Sequence, residues 1–321
     1  MGKTKRFARI VAIIIALALV VCGCHTGQCG QASEESVYLY SYFVGNGEDG
    51  LHLAYSLDGL DWKTLNGGKS FLIPAAGEKL MRDPCILRGP DGTFHMVWTT
   101  SWNQKGIGYA NSKDLMKWSE QKYIPVMAHE PTAMNCWAPE AFYDKASKQF
   151  LIFWSTTIPG RFPDTDKSGD GGRNHRIYVT TTKDFEKFSP TRLFYDDGFN
   201  VIDATIVKAG GRFVMFIKDE TRYPPQKNIR IAKSKKALGP YGQASAPITG
   251  NYWAEGPSAI QIEGKWYLYF DKYRDGKYGI IVSEDLVSWT DISDRLVMPE
   301  GARHGTMFAV PASILKGLQE F

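Results

Sequence analysis

The sequence predicts an all-β protein, a five-bladed β-propeller, and three observations carry that reading. A passage of short strands recurs roughly every 45–60 residues, the spacing of blades that are each too small to bury a core alone. The strands alternate apolar and polar residues with period two and are rich in aromatics. One copy is split between the chain's two ends, so the predicted ring is closed by a C-terminal strand joining the N-terminal blade, which removes an exposed sheet edge.

The chain has 321 residues, enough for one large all-β domain. Its first stretch is set aside. Lys3, Lys5, Arg6 and Arg9 precede an apolar run from Ile10 to Val21, too short for a comfortable membrane span, which stops at Val21-Cys22-Gly23-Cys24. This ending resembles a bacterial lipoprotein signal, in which a small residue precedes the cysteine that is lipidated. Residues 1–24 are therefore expected to be a signal peptide with Cys24 the lipidation site, and the protein an exported lipoprotein, periplasmic or at the cell surface and anchored to a membrane. Residues 25–36, rich in Gly, Gln, Ser and Glu, read as a flexible tether, and residues 37–321 as the propeller. Cleavage before Cys24 removes four cations and no acid, so the formal charge of +4 falls to zero and nucleic acid is no expected partner. Cys29, Cys85 and Cys136 remain, an odd number that argues against a disulfide framework and for free buried thiols at 85 and 136.

Four copies open with an acid beside Pro, Ala or Gly: Arg82-Asp83-Pro84, Trp137-Ala138-Pro139-Glu140, Ile202-Asp203-Ala204 and Ala254-Glu255-Gly256-Pro257. Blades are expected to start near Val37, Asp83, Glu140, Asp203 and Glu255, with the strand around His304 returning to the first. Within them Phe94, Met96 and Trp98 match Phe150, Ile152 and Trp154, then Phe213, Met215 and Ile217, then Trp266, Leu268 and Phe270. A second phrase closes the blades: Ser56-Leu57-Asp58, Ser112-Lys113-Asp114, Thr182-Lys183-Asp184 and Ser283-Glu284-Asp285, with a degenerate version after Ser234. These read as side-chain-stabilised structural turns. Two insertions, Ser155 to Arg176 and Lys218 to Lys227, read as rims or lids.

The first strand of a propeller blade lines the central channel, so acids opening such strands converge although distant in sequence. Asp83, Asp203 and Glu255 would then surround one funnel. Glycoside hydrolysis needs two carboxyl groups in opposite protonation states, and a third nearby raises the acid's pKa.

Arg-Asp-Pro, Trp-Ala-Pro-acid, Ile-Asp and Glu-Gly-Pro in this order, followed by Arg303-His304-Gly305, resemble glycoside hydrolase family 43 and its five-bladed relatives over nearly the whole mature chain. The resemblance implies inverting hydrolysis of arabinofuranosyl, xylosyl or related linkages in poly- or oligosaccharides. It makes Asp83 the general base, Asp203 the tuning acid and Glu255 the general acid. The chain departs from the family in opening with a partial blade, in Glu140 where Asp is usual, and in Ala204 where Pro is usual.

Arg82, Trp137, Glu140, Trp253 and His304 are the candidate substrate-binding residues, the tryptophans as flat stacking surfaces. Trp102 and Tyr273 lie in loops after the second strand, and lining of the funnel is the less favoured reading for them. Asp164 to Gly172 looks like the start of a calcium loop but has His175 where the closing Glu belongs, so it reads as a turn-rich lid. No metal-ligand spacing is present and no cofactor is required; a structural calcium or other ion in the channel stays open. The long lids hint at a closed pocket and exo action. Two alternatives are weighed. A glycan phosphorylase would need a phosphate pocket, for which Arg222, Lys218 or Arg303 are candidates. A non-catalytic glycan-binding lipoprotein would have no need of three converging acids.

Overall fold

A computed structural model describes residues 36–321. Residues 1–24 with Cys24, and the tether as far as residue 35, lie outside the described residues. Five antiparallel sheets make up the fold. Blade 2 consists of β4 (Arg82–Arg88), β5 (Phe94–Thr99), β6 (Ile107–Ser112) and β7 (Lys122–Ile124). Blade 3 consists of β8 (Trp137–Asp144), β9 (Gln149–Thr157), β10 (His175–Thr182) and β11 (Arg192–Tyr195). Blade 4 has only β12 (Val201–Ala209), β13 (Arg212–Asp219) and β14 (Asn228–Ser234). Blade 5 has β15 (Glu255–Ile262), β16 (Lys265–Lys272), β17 (Lys277–Ser283) and β18 (Thr290–Asp291).

Blade 1 is the split one. Its outer strands are β1 (Ser36–Phe43), β2 (His52–Ser56) and β3 (Lys63–Thr64), and its inner strand is β19 (Arg303–Pro311). Val37 pairs with Val310 and Ser41 with Thr306. The inner strands pack in a closed circuit, β19 on β4, β4 on β8, β8 on β12, β12 on β15 and β15 on β19. The ring closes as the split repeat predicts. The sequence expectation omits the C-terminal helix α1 (Ala312–Gln319), whose Leu315 and Leu318 join the core between blades 1 and 2.

Period-two alternation sends successive side chains to opposite faces of a strand, and here both faces are buried because each blade has two neighbours. Phe94, Met96 and Trp98 pack toward blade 1 with Leu39 and Leu53, whereas Val97 joins Phe150, Ile152 and Trp154 of blade 3. The same exchange recurs at Phe153 and Met215, at Phe216 and Leu268, and at Tyr269 and Tyr40. Stability is thus spread over five interfaces.

The closing turns are built from side chains. Ser112 Oγ accepts from Leu115 N at 2.8 Å, and Asp114 Oδ1 accepts from Met116 N and Lys117 N at 2.9 and 2.7 Å. Asp58, Asp184 and Asp285 repeat the arrangement. In blade 4 an alanine, Ala237, follows Ser234 and Lys236 where the repeat expects its turn, only Ser234 still accepts a backbone bond from Lys236, and the fourth strand is missing. The insertions are shorter than expected, because β9 and β10 absorb Ser155–Thr157 and His175–Arg176, and β13 absorbs Lys218 and Asp219. Cys85 and Cys136 are free and buried.

Candidate active site

The same irregularity occurs once in every inner strand. Arg82 pairs with Thr99 and Cys85 with Val97, so two residues, Asp83 and Pro84, face one partner. Equivalent bulges hold Ala138-Pro139, Asp203-Ala204, Gly256-Pro257 and His304-Gly305. A bulge bends the strand and re-aims a side chain. Its first residue is left-handed in four strands, with φ of 51° at Asp83, 44° at Ala138, 53° at Asp203 and 58° at Gly256. For the three residues other than glycine this costs about 1–3 kcal/mol each. Only glycine fits the fourth: a Cβ on Gly256 would stand 2.4 Å from the His304 ring.

The bulges sort the channel into tiers. Arg82, Trp137, Ile202, Glu255 and Arg303 stand just before the bulge. Asp83, Ala138, Asp203, Gly256 and His304 stand on it. Cys85, Glu140, Thr205, Ser258 and Thr306 lie one step deeper. The first two tiers, Gly256 excepted, line a cleft of about 360 Å³ at the channel mouth, joined by Thr99, Trp102, Asp170, Lys218, Glu220 and Tyr273. Asp83, Asp203, Glu255, His304, Arg82 and Trp137 are therefore brought together, as are the two loop aromatics.

Their environments differ. Asp83 accepts from Thr99 Oγ1 at 2.8 Å and lies 3.3 Å from His304 Nδ1. Burial pushes its carboxyl up, but the His304 bond and charge, the Arg82 charge and the Thr99 hydroxyl outweigh burial and hold it down at about 2. His304 is driven the other way: burial opposes its charge, yet Asp83, Asp203 and Glu140 raise it to about 9. Asp203 is buried and accepts from Gly256 N at 3.0 Å. Burial raises it to about 6, His304 and Lys218 hold it back, and the charges of Glu255 and Asp83 add to the rise. Glu255 accepts from Lys218 Nζ at 2.9 Å and Arg303 at 3.2 Å; burial is outweighed by these cations and its pKa is lowered. Asp203 and Glu255 are thus a tightly coupled pair of which Asp203 is the member that keeps a proton up to about pH 6.

Sequence reasoning missed the ionic frame around this pair. Lys218, only 1% exposed, bridges Glu255 and Glu220 at 2.9 and 2.7 Å. Lys227, fully buried, bridges Glu220 and Asp170, both at 2.6 Å. On the other flank Arg303 spans Glu255 and Asp271. The frame runs from one insertion through the other to the cleft. In the sequence Lys218 and Arg303 stand out as candidate phosphate ligands, Lys227 only as the end of an insertion, and Asp170 only as part of a calcium-like loop. Nothing in the spacing shows that Lys218 at the end of β13 faces the β15 opener; that follows from the register, where Ile202 pairs with Lys218 on the strand adjoining blade 5.

Two expectations need correction. Glu140, expected on the substrate side, does not line the cleft. The left-handed residue of its bulge is Ala138, so Ala138, not Glu140, is the counterpart of Asp83, and Glu140 drops to the deeper tier. There it accepts from Thr306 Oγ1 at 3.1 Å, Thr205 Oγ1 at 3.2 Å and Cys85 Sγ at 3.5 Å, tying four blades together. Trp253 is not a cleft surface either: it packs against Tyr273, with the Arg274 and Arg222 guanidinium groups 4.6 and 4.9 Å from its ring. Arg82 does line the cleft, where it lies 4.3 Å from the Trp102 ring and donates to Asn46. Trp137 stays at the cleft, its indole donating to Trp102 O and its ring 4.5 Å from Arg173.

Burial in the deeper tier raises Glu140 to about 7 from 4.5. A raised acid is neutral in the fold, so its stabilisation is complete below pH 4.5 and is lost as pH climbs through 7, by about 3 kcal/mol. Glu140→Gln is therefore expected to be near neutral at pH 4.5 and to raise Tm at pH 8, read by thermal melts at both pH values. A lower Tm at pH 8 would contradict a protonated Glu140.

Comparisons with known proteins agree with this geometry. A sequence family described as "Probable glycosyl hydrolase domain", related to glycoside hydrolase family 43, matches residues 34–314. An alpha-L-arabinofuranosidase of Bifidobacterium longum subsp. longum is 26% identical over 247 residues, covering 64% of this chain but only 23% of that relative. Among solved structures, an alpha-L-arabinofuranosidase from Lactobacillus brevis superposes with a TM-score of 0.52 at 17% identity, covering 66% of this chain and 72% of the other. An exo-beta-1,3-galactanase from Clostridium thermocellum gives 0.52 at 17% identity, with 73% and 50% covered. These structural likenesses speak to the five-bladed fold.

Proposed function

This chain belongs to the glycosyl hydrolase family related to glycoside hydrolase family 43, and on that premise we propose that its cleft hydrolyses arabinofuranosyl, xylosyl or related linkages with inversion, acting from a chain end. One observation carries the reading: a single small cleft brings together Asp83, held ionised by His304, Arg82 and Thr99, and a separate coupled pair, Asp203 and Glu255, in which Asp203 is raised to about 6. Inverting hydrolysis asks for that combination. Asp83, fixed by Thr99 and His304, takes the proton of the attacking water. Glu255 delivers a proton to the glycosidic oxygen as the bond breaks, and Asp203 supplies that proton and feels the charge that Glu255 acquires. Trp137 and Trp102 offer ring surface at the mouth. The arabinofuranosidase relative supports the sugar class, and the joined insertions support a pocket for a chain end.

The phosphorylase alternative is weaker. Lys218 is held by Glu255 and Glu220, Arg303 by Asp271 and Glu255, and Arg222 by Asp170, so none is free to bind phosphate. A binding-only role leaves the opposed protonation states without a purpose. An axial calcium or other ion would compete for Glu140 oxygens already engaged by Thr205, Thr306 and Cys85. The basic and apolar N-terminus ending at Cys24 supports export and a lipid anchor.

The test is hydrolysis of arabinan, xylan and arabinogalactan followed by proton NMR of the fresh product. The expected result is one sugar released from the chain end with its anomeric configuration inverted. Retention, or release only with added phosphate, would refute the mechanism.

A further inference from the structure

The cleft does not end on its blade 5 side. Arg303 and Tyr273 form a partition, and beyond it lies a second cavity of about 420 Å³, lined among others by Asp271, Lys277, Tyr278, Met298 and Glu300. Arg303 and Tyr273 line both spaces. The cavity sits between the turn joining β16 to β17 and the segment 296–302 that leads into β19.

We propose that this second cavity is the subsite for the leaving-group side of the glycan, seating the sugar unit that departs with the glycosidic oxygen. The proposal rests on the roles of Asp83 and Glu255 given above. Direction is the first argument. In an inverting displacement, water and leaving group lie on opposite faces of the reacting carbon. Water meets Asp83 on blade 2, so the departing oxygen meets Glu255 on blade 5, and the glycan continues on that side. Arg303 links Glu255 directly to Asp271, which lines the second cavity.

Closure elsewhere is the second argument. On the blade 3 and blade 4 side the insertions are tied together by Arg222 N to Ser168 O at 2.6 Å and by Lys227 to Asp170 at 2.6 Å. That wall closes the blade 3 and blade 4 side, whereas the second cavity adjoins the cleft on blade 5. Lining chemistry is the third. Met298 and Pro299 offer apolar surface to a sugar's C–H face, while Lys277 and Glu300 have no side-chain hydrogen bond or ion pair among the described residues. Pockets of about 300–1,000 Å³ bind small ligands, so each space suits a sugar unit or two.

Two variants test the subsite: Met298→Trp, which fills the cavity, and the double variant Lys277→Ala with Glu300→Ala, which removes exposed polar groups and spares the core. Each is assayed with an arabinan or xylan trisaccharide and with the 4-nitrophenyl glycoside of the same sugar. The ratio of kcat/KM on the trisaccharide to that on the aryl glycoside is expected to fall about ten-fold or more in Met298→Trp and several-fold in the double variant. Calorimetric titration of the trisaccharide is expected to weaken in step, with monosaccharide binding preserved. Should the wild type cleave both substrates and the ratio stay constant in the double variant and in any folded Met298→Trp, the subsite is overturned and the hydrolase reading stands. A wild type that neither cleaves nor binds either sugar overturns that reading and the subsite with it.

Discussion

Asp83→Asn is expected to fold normally and to lose glycan hydrolysis by about 10²–10⁴-fold, the usual effect of removing a general base. Folding is preserved because the residue at this bulge has φ of 51°, and asparagine enters the left-handed region as readily as aspartate. Thr99 keeps an acceptor in the amide oxygen. His304, however, loses the charge that holds it at about 9, and its proton becomes easier to release. Two separate readouts follow. Activity collapses at every pH, while the stability linked to this pair changes in a defined window. The wild-type Asp83 contribution is complete above pH 3.8 and is lost as pH falls toward 2; that of His304 is complete below 6.5 and is lost as pH rises through 9. The variant should flatten both limbs in melts recorded from pH 2 to 10. Retained hydrolysis would remove Asp83 from the mechanism.

The scaffold was legible because its causes are local. Alternating aromatics at Phe94, Met96 and Trp98 need only period two to declare a strand, and Ser112 with Asp114 needs only a turn. Even ring closure could be read, since a strand at His304 lacked a blade and Val37 lacked an inner strand. The site was partly legible for the same reason: Asp83, Asp203 and Glu255 announce themselves beside residues that tolerate a bulge. Glu140 shows where that logic stops. Its acid sits two residues past the bulge position, and only strand pairing reveals that Ala138 has taken the place of Asp83. Trp253 fails likewise, because adjacency to Glu255 in sequence does not say which way a ring turns. Lys218, Glu220 and Lys227 were illegible as a frame, since each is paired with a group from another strand or loop and the charges balance only in three dimensions. The C-terminal helix escaped because eight residues give too little periodicity beside a strand that dominates the pattern.

Glu255→Gln decides which member of the carboxyl pair delivers the proton. The fold should persist, because Lys218 keeps Glu220 and Arg303 keeps Asp271 as partners. A general acid matters in proportion to how badly the leaving group needs a proton. Loss on natural glycosides is therefore expected to reach about 10²–10⁴-fold, while a dinitrophenyl glycoside, whose phenolate departs unaided, should be cleaved at close to the wild-type rate. Asp203→Asn should instead slow both substrates, since it removes the proton source and the charge that Glu255 feels. The pH profile gives an independent check. A protonated pair is required, and Asp203 holds its proton up to about 6, so kcat/KM should fall above that pH and stay level below it until Asp83 itself protonates. Lys218→Met withdraws the cation that favours ionised Glu255, so the descending limb should move to higher pH. If the leaving-group dependence appears in Asp203→Asn and not in Glu255→Gln, the acid is Asp203, and Lys218 then serves to keep Glu255 as the charged neighbour that raises it.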